Sequence, residues 1–521
     1  WQLCLADGSP DDKAKEFIEK HYGREKRIVY RKLEENGGIS VNTNEAVALA
    51  TGEYLMLCDH DDTLEPDALY EIVKAINDTG ADVLYTDEDK VSMDGQHYFD
   101  PNFKPDFNLF RLRENNYICH IFVVKKSLTD ETGLLRSEFD GAQDFDFILR
   151  CCEKAQKITH IPKVLYHWRC HMDSTAADPS SKAYAYEAGR KAVREHYQRL
   201  GIDAKVEMTE RPGWYRSHVK VQGNPLISVI IPNKDHTDDL ELCLFSMTRK
   251  STYRNYEILI VENNSEKEET FEYYKKLEAE NPKVRMVYWD GVFNYSAINN
   301  YGASFAKGEY LLLLNNDTEI INPDCLEELL GYCMRKDVGA VGARLYYEDD
   351  TIQHAGVVIG FGGIAGHCFV QQKRGTTGYC HRIICAQDYS AVTAACMMVK
   401  KSAFDANGNE INSTEYVYDG DGNIIEAIGN KNGTPYRYTF NEYDAYGRNI
   451  SVAEINATSK PSDSEVENAK LKYVYNIDDN IAKIYYPNTT GDELKGIAFK
   501  YNKDKWITEI DGLLSGDDAA A

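Results

Sequence analysis

Apolar and polar residues alternate along this chain in two rhythms, and the change from one to the other falls near residue 404. Before it, short runs that are apolar almost throughout are separated by stretches of helical spacing: YLMLCDHDD at 54–62, PLISVIIPN at 225–233, YEILIVENNS at 256–265 and YLLLLNND at 310–317. A strand without polar alternation is buried on both faces. The pattern therefore predicts a parallel sheet flanked by helices, with any ligand held in a crevice at the carboxyl ends of the strands. From Asp405 the chain reads YVYDGDGNII, YRYTFNEYDAYGRNI, YVYNIDDNIAKIYY and FKYNKDKWITEI. Period-two aromatic alternation broken by Gly, Asn and Asp predicts short antiparallel hairpins.

The first rhythm is played twice. GEYLMLCDHDDTLEPDAL, 52–69, returns as GEYLLLLNNDTEIINPDCL, 308–326, and the offset of 256 from Gly52 to Gly308 also pairs Asp7 with Asn263, Asn44 with Asn300, Asp59 with Asn315 and Asp61 with Asp317. A register held over such a distance predicts duplication of a whole domain. Trp1 falls opposite Glu257, so the first copy has no equivalent of the strand, loop and helix before residue 256 and is expected to begin inside a domain. FVVKKSL, 122–128, matches MMVKKSAF, 397–404, but TGLLRSEFDGAQDFDFILR has no partner in the second copy. The expected boundaries are 1–205, a linker at 206–223, 224–404, and a β-rich 405–521.

The strand ending at Cys58 delivers Asp59, Asp61 and Asp62 at one edge. Three carboxylates so close together are tolerable in water or around a divalent cation. A solvated turn capping the helix near Pro66 accounts for the same residues. A net charge of −25 argues against nucleic acid as the main partner, and no apolar run is long enough to span a membrane. All 13 cysteines lie between Cys4 and Cys396, without zinc-like CxxC pairs, which predicts reduced thiols.

Several motifs, in one order, resemble a known family. ADGSPDD at 6–12, NGGISVNTNEA at 36–46, CDHDD at 58–62, YTDEDKV at 85–91, FKPDFN at 103–108, FDGAQDFDFILR at 139–150 and LYHWRCHMDST at 165–175 look like tandem family-2 glycosyltransferase domains that build bacterial cell-surface polysaccharides such as rhamnans and O-antigens. The resemblance implies an α/β chain of two GT-A domains, an inverting transfer, a nucleotide-sugar donor, a glycan or lipid-linked acceptor, and Mg2+ or Mn2+. It also implies a cytoplasmic location at the inner face of the membrane, with peripheral association. Carried over by position, Asp7 would contact the base, Asn44 would lie in the nucleotide site, and Asp59 with Asp61 would form the DxD motif, Asp61 binding the metal directly. Asp144 matches the base that deprotonates the acceptor, and His167 a diphosphate or metal contact. In the second copy Asn263, Asn300 and Asn315 would take donor positions and Asp317 a metal position.

Plainer roles exist for several of these residues. Asp144 suits the first turn of a helix, Asn44 a helix cap, and His167 a structural histidine. If the GAQDFDF segment is helical, Asp146 turns away from Asp144. The last hundred residues resemble YD-repeat surface and toxin-shell proteins. That leaves two alternatives open: a binding protein with relic transferase domains, or a fusion at Phe404 without activity. A nucleotidyltransferase would also place acidic residues over such a sheet, but IPNKDHTDD, 231–239, offers no basic glycine-rich loop.

Overall fold

The computed structural model describes residues 1–170, 183–361, 364–404, 412–418, 424–431, 434–476, 480–486, 496–501 and 507–513. The end of LYHWRCHMDST, from His171, lies outside the described residues.

Residues 227–400 hold a mixed six-stranded sheet in the order Val284–Trp289, Tyr256–Asn263, Ile227–Asn233, Tyr310–Leu314, Cys396–Lys400, Ala340–Gly342. The largely apolar run Ile227–Asn233 sits between two parallel neighbours, and Val229, Ile230 and Ile231 are fully buried. Ile258 and Ile260 pack with Leu240, Cys243 and Met247 of the helix Thr237–Lys250. Leu259 and Val261, pointing the other way, meet Ile298 and Ala303 of the helix Tyr295–Ser304. Alternate side chains of one strand are thus covered on both faces.

The expectation of an all-parallel sheet fails at Cys396–Lys400, which runs antiparallel to Tyr310–Leu314. The physical reason is its connection. The chain leaves Ala340–Gly342 at the carboxyl edge, stays on that edge through residues 343–395, and re-enters the sheet from above, without the crossover helix that a parallel strand requires.

The N-terminal region repeats this arrangement with a gap. Tyr54–Leu57 pairs antiparallel with Phe122–Lys125, which pairs antiparallel with Val83–Val91; beyond it lie Ile158–Arg169 and Thr63–Leu64. Leu3–Asp7 and Ile28–Lys32 form a separate parallel pair. In the central sheet, Ile227–Asn233 joins the counterparts of Leu3–Asp7 and Tyr54–Leu57. Among the described residues of the N-terminal region no strand takes that place, and the sheet stands in two parts. Leu3, Phe17 and Tyr22 stand 44%, 56% and 50% exposed, and with Leu5 and Ile18 they line an open groove of about 710 Å³.

The expected linker at 206–223 is largely a hairpin, Ala204–Met208 paired with Tyr215–Val219. Val206 and Tyr215 are buried in the N-terminal core, and Ser217 O accepts from the Tyr332 hydroxyl at 2.6 Å. The tail forms an eight-stranded antiparallel meander from Asn412–Tyr418 to Ile507–Leu513 in sequence order, with Tyr438 and Ala453 buried and a described turn at residues 444–448.

The gap is checkable by hydrogen exchange on the full chain. Amides of Leu3–Asp7 and Tyr54–Leu57 that face the open edge are expected to exchange at least ~10-fold faster than those of Tyr256–Asn263 and Tyr310–Leu314. Equal protection would mean that the edge is covered in solution.

Candidate active site

The antiparallel strand fixes the geometry of the N-terminal crevice. Because Leu57 pairs with Phe122, residues just after Leu57 lie beside those just before Phe122. His120 is thereby set against Asp59, its Nε2 3.5 Å from Asp59 Oδ2. His60 and Asp61 occupy the corners of a turn, and Asp59 and Asp62 are its two ends. One potential ligand atom each from Asp59, Asp62 and His120 lies within 4.8 Å of the others. These are two oxygens and one imidazole nitrogen, a set that suits a divalent cation.

Each member is held from behind. Asp62 accepts from the Tyr166 hydroxyl and, at 2.8 Å, from the Arg169 backbone N–H. The His120 ring stacks on Tyr166 with centroids 4.8 Å apart. Glu88 Oε2 lies 3.4 Å from His120 Nδ1 and accepts from the His120 backbone N–H at 3.3 Å. Buried Lys104 donates to Glu88 Oε2 at 3.2 Å, to Ile118 O at 2.8 Å and to His120 O at 2.5 Å. Burial opposes the Glu88 carboxylate, but Lys104, with His120 and Asn102, lowers its pKa to about 2. The bond from His120 depresses the Asp59 pKa, whereas burial raises that of Asp62.

Asp144 enters from a different element, the helix Gln143–Lys154, whose first turn favours a carboxylate. Asn116 Nδ2 donates to Asp144 Oδ2 at 2.8 Å. Burial raises the Asp144 pKa; the positive field of His120 opposes that and Asp59 adds to it, so the three groups share one electrostatic site. Asp146 is fully buried and turned away, with Arg136 at 2.6 Å and Arg150 at 2.9 Å.

Other sequence candidates fall elsewhere. Asp61 is partly exposed, its carboxylate 4.0 Å from the exposed His60 ring, and is not in the three-residue group. His167 points to the opposite face of its strand from Tyr166 and Trp168, as strand alternation requires. There its Nδ1 meets Asp89 Oδ1 at 2.6 Å and its Nε2 lies 3.2 Å from Glu65. Asn44 spends its amide on Leu135, donating to Leu135 O at 2.8 Å and accepting from Leu135 N at 3.1 Å, so it braces the approach to the Asp144 helix. Asp7 does stand at a strand end, accepting from Ser9 N at 2.8 Å, from Tyr30 at 2.6 Å and from Lys32 at 3.2 Å. Burial pushes its pKa up, but these bonds prevail and lower it.

In the central region the uniform 256 offset slips by one. Asp7 pairs with Lys32 and Glu262 with Tyr288, so Glu262, not Asn263, holds the place of Asp7. The cause is one extra residue between the start of the helix and the start of the next strand: Lys13 and Glu268 begin helices 255 apart, Ile28 and Val284 begin strands 256 apart. Buried Glu262 accepts from Ser265 and, at 3.0 Å, from Tyr274. Asn233 donates to Tyr274 at 2.7 Å and accepts from Asn316 at 2.7 Å. Asn315 accepts from Tyr295 at 3.0 Å, while Asn300 and Asp317 are exposed. Asn263 is buried at the same strand end.

Residues 1–133 and 228–403 match the Glycosyl transferase family 2 profile. The chain belongs to this family. It is 42% identical over 422 residues to the uncharacterized protein y4gI of Sinorhizobium fredii, covering 80% of this chain and 46% of the relative. It is 36% identical over 412 residues to the O-antigen biosynthesis protein RfbC of Myxococcus xanthus, covering 78% of this chain and 32% of the relative. The chain therefore spans less than half the length of these curated relatives. A structure of S. aureus TarS 1–349 in complex with UDP-GlcNAc aligns at 22% identity with a TM-score of 0.30, over 37% of this chain and 56% of the neighbour.

Cation titration by calorimetry separates the two readings of the acidic turn. Mn2+ binding is expected to weaken by more than about 10-fold in Asp62→Asn and in His120→Gln, since even outer-shell changes commonly cost that much. Loss of binding in Asp61→Ala, with both other variants intact, would move the cation to the exposed side of the turn.

Proposed function

We propose that this glycosyltransferase inverts the anomeric centre as it moves a sugar from a nucleotide-sugar donor to a growing cell-surface polysaccharide or lipid-linked glycan. On this reading the chain carries two GT-A units in tandem, with the chemistry in the N-terminal one, working at the inner face of the membrane. The observation that carries it is the group Asp59, Asp62 and His120 at the strand ends, linked to Asp144 through Asn116, which donates to Asp144 and accepts from the backbone N–H of Cys119, the residue before His120. Family membership and the likeness to an O-antigen biosynthesis protein support the substrate class. Among the described residues no helix is long and apolar enough to cross a membrane, so peripheral association is the form proposed.

Asp144 takes the proton of the acceptor hydroxyl as that oxygen attacks, and Asn116 fixes the orientation of the carboxylate. Burial makes the ionised carboxylate a stronger base than a solvated one. The rate should therefore fall on the acid side at a pH above the ordinary aspartate value of about 4. Asp59, Asp62 and His120 would hold Mg2+ or Mn2+, which when bound neutralises charge developing on the leaving diphosphate. Asp7 is assigned to the base of the donor. In the central unit Glu262, Asn263 and Asn315 take the donor side and Asp317 the cation side; that unit has no equivalent of the Asp144 segment.

Asp144→Asn is expected to lower kcat by about 100-fold to 10,000-fold with donor affinity nearly unchanged, since the amide keeps the shape but accepts no proton. Normal turnover in this variant would place the base elsewhere.

The tail is assigned no part in donor binding. A chain ending at Phe404 is expected to bind UDP-sugars as the full chain does, measured by calorimetry. A large loss would favour the reading in which the tail completes a working site.

A further inference from the structure

The segment 343–395 of the central region does more than roof its own crevice. It reaches across to Pro101–Arg113, the strip of the N-terminal region that carries FKPDFN. The Tyr379 hydroxyl sits between two consecutive peptide units there, donating to Pro101 O at 2.7 Å and accepting from Phe103 N at 2.8 Å. The residue between them is Asn102. Its side chain is within 3.2 Å of the Cys380 thiol, and its Nδ2 donates to Glu88 Oε1 at 3.1 Å. Two residues on, Lys104 donates to the other oxygen of the same carboxylate. Glu88 is therefore gripped from both sides by Asn102 and Lys104, the two neighbours of Phe103 in the strip that Tyr379 ties down, and Glu88 in turn faces His120 Nδ1 and receives its backbone N–H.

We infer that Tyr379 of the central region is a positioning residue for the N-terminal active site, holding the strip that carries Asn102 and Lys104 so that Glu88 sets the His120 ring against Asp59. The contact is made to measure. A tyrosine hydroxyl can donate and accept at once, and here both functions go to the backbone of one residue's two neighbours. Arg382 Nη2 to Phe103 O at 2.7 Å and Arg111 Nη2 to Cys380 O at 2.8 Å fasten the same strip in both directions. The central region, which lacks the Asp144 segment, thereby contributes to transfer by holding its neighbour's site in shape. The inference rests on the transferase reading for its consequence in rate, but the coupling of Tyr379 to His120 has its own readout.

The test uses the full chain with 15N-labelled histidine, the His120 ring signal being identified by its loss in His120→Gln. In Tyr379→Phe, which removes only the hydroxyl, the His120 signal is expected to move and kcat to fall about 10-fold, the lower end of what supporting groups around a site commonly cost, while donor KM stays as in the parent. Tyr347→Phe, an exposed tyrosine of the same segment, should move neither. A shifted His120 signal in a chain whose parent shows no transfer would overturn the transferase reading and leave the coupling standing. An unmoved signal with unchanged kcat overturns the inference. If Tyr379→Phe unfolds, Cys380→Ala removes only the thiol contact to Asn102, and an unmoved His120 signal in that variant overturns the inference equally.

Discussion

The antiparallel pairing of Phe122–Lys125 with Tyr54–Leu57 is the constraint on which the site depends. A parallel strand in that place would enter from the amino edge and carry the residues before it away from the crevice. Running the other way, it brings residues 92–121 onto the carboxyl edge and sets His120 against Asp59. Lys104 and Asn116 take their places from the same stretch, and Glu88 from the neighbouring strand Val83–Val91. The register is fixed in its turn by burial: Phe122, Val123 and Val124 are each at most 1% exposed, facing cores on both sides, and a slip of one residue would exchange the two faces.

This explains which residues could be read from the chain. Asp7 and Asp59 directly follow apolar runs, and an apolar run that stops at a carboxylate announces a strand end whatever its neighbours are. Asp144 was legible through GAQDFDF, and the turning away of Asp146 through helical period alone. His120 had no local mark, because its place depends on pairing between strands some 65 residues apart, a fact of the tertiary fold. His167 misled for the opposite reason: YHWRCH looks like a ligand cluster, but alternation along Ile158–Arg169 sends Tyr166 to Asp62 and His167 to Asp89. The one-residue slip that substitutes Glu262 for Asn263 was hidden because the flanking motifs realign beyond it.

The two sheets also serve as each other's controls. The central sheet has Ile227–Asn233 at its middle and buries both faces of Tyr256–Asn263; the N-terminal pair Leu3–Asp7 and Ile28–Lys32 stands apart with exposed Leu3 and Phe17. Asn44 and Asn300 hold equivalent helix positions, yet Asn44 is locked to Leu135 while Asn300 is exposed, because only the N-terminal region has the 134–150 segment to receive it. Equivalent residues thus acquire different roles from what their surroundings supply.

The same logic bears on how the regions work together. The N-terminal region brings together Asp59, Asp62 and His120 and places Asp144 on the helix beside them, on a sheet in two parts; the central region has one continuous sheet and a bonded chain from Glu262 through Tyr274 and Asn233 to Asn316. Their contact is not a loose tether. Tyr332 caps Ser217, Glu328 binds Arg216 and His218, and Asn108 exchanges two hydrogen bonds with the Asp388 backbone at 3.0 and 3.1 Å. Through the bonds of Tyr379 to Pro101 and Phe103 the central region also reaches the strip that holds Glu88, so damage to the central region should be felt first in the orientation of His120, before any loss of fold in the N-terminal core.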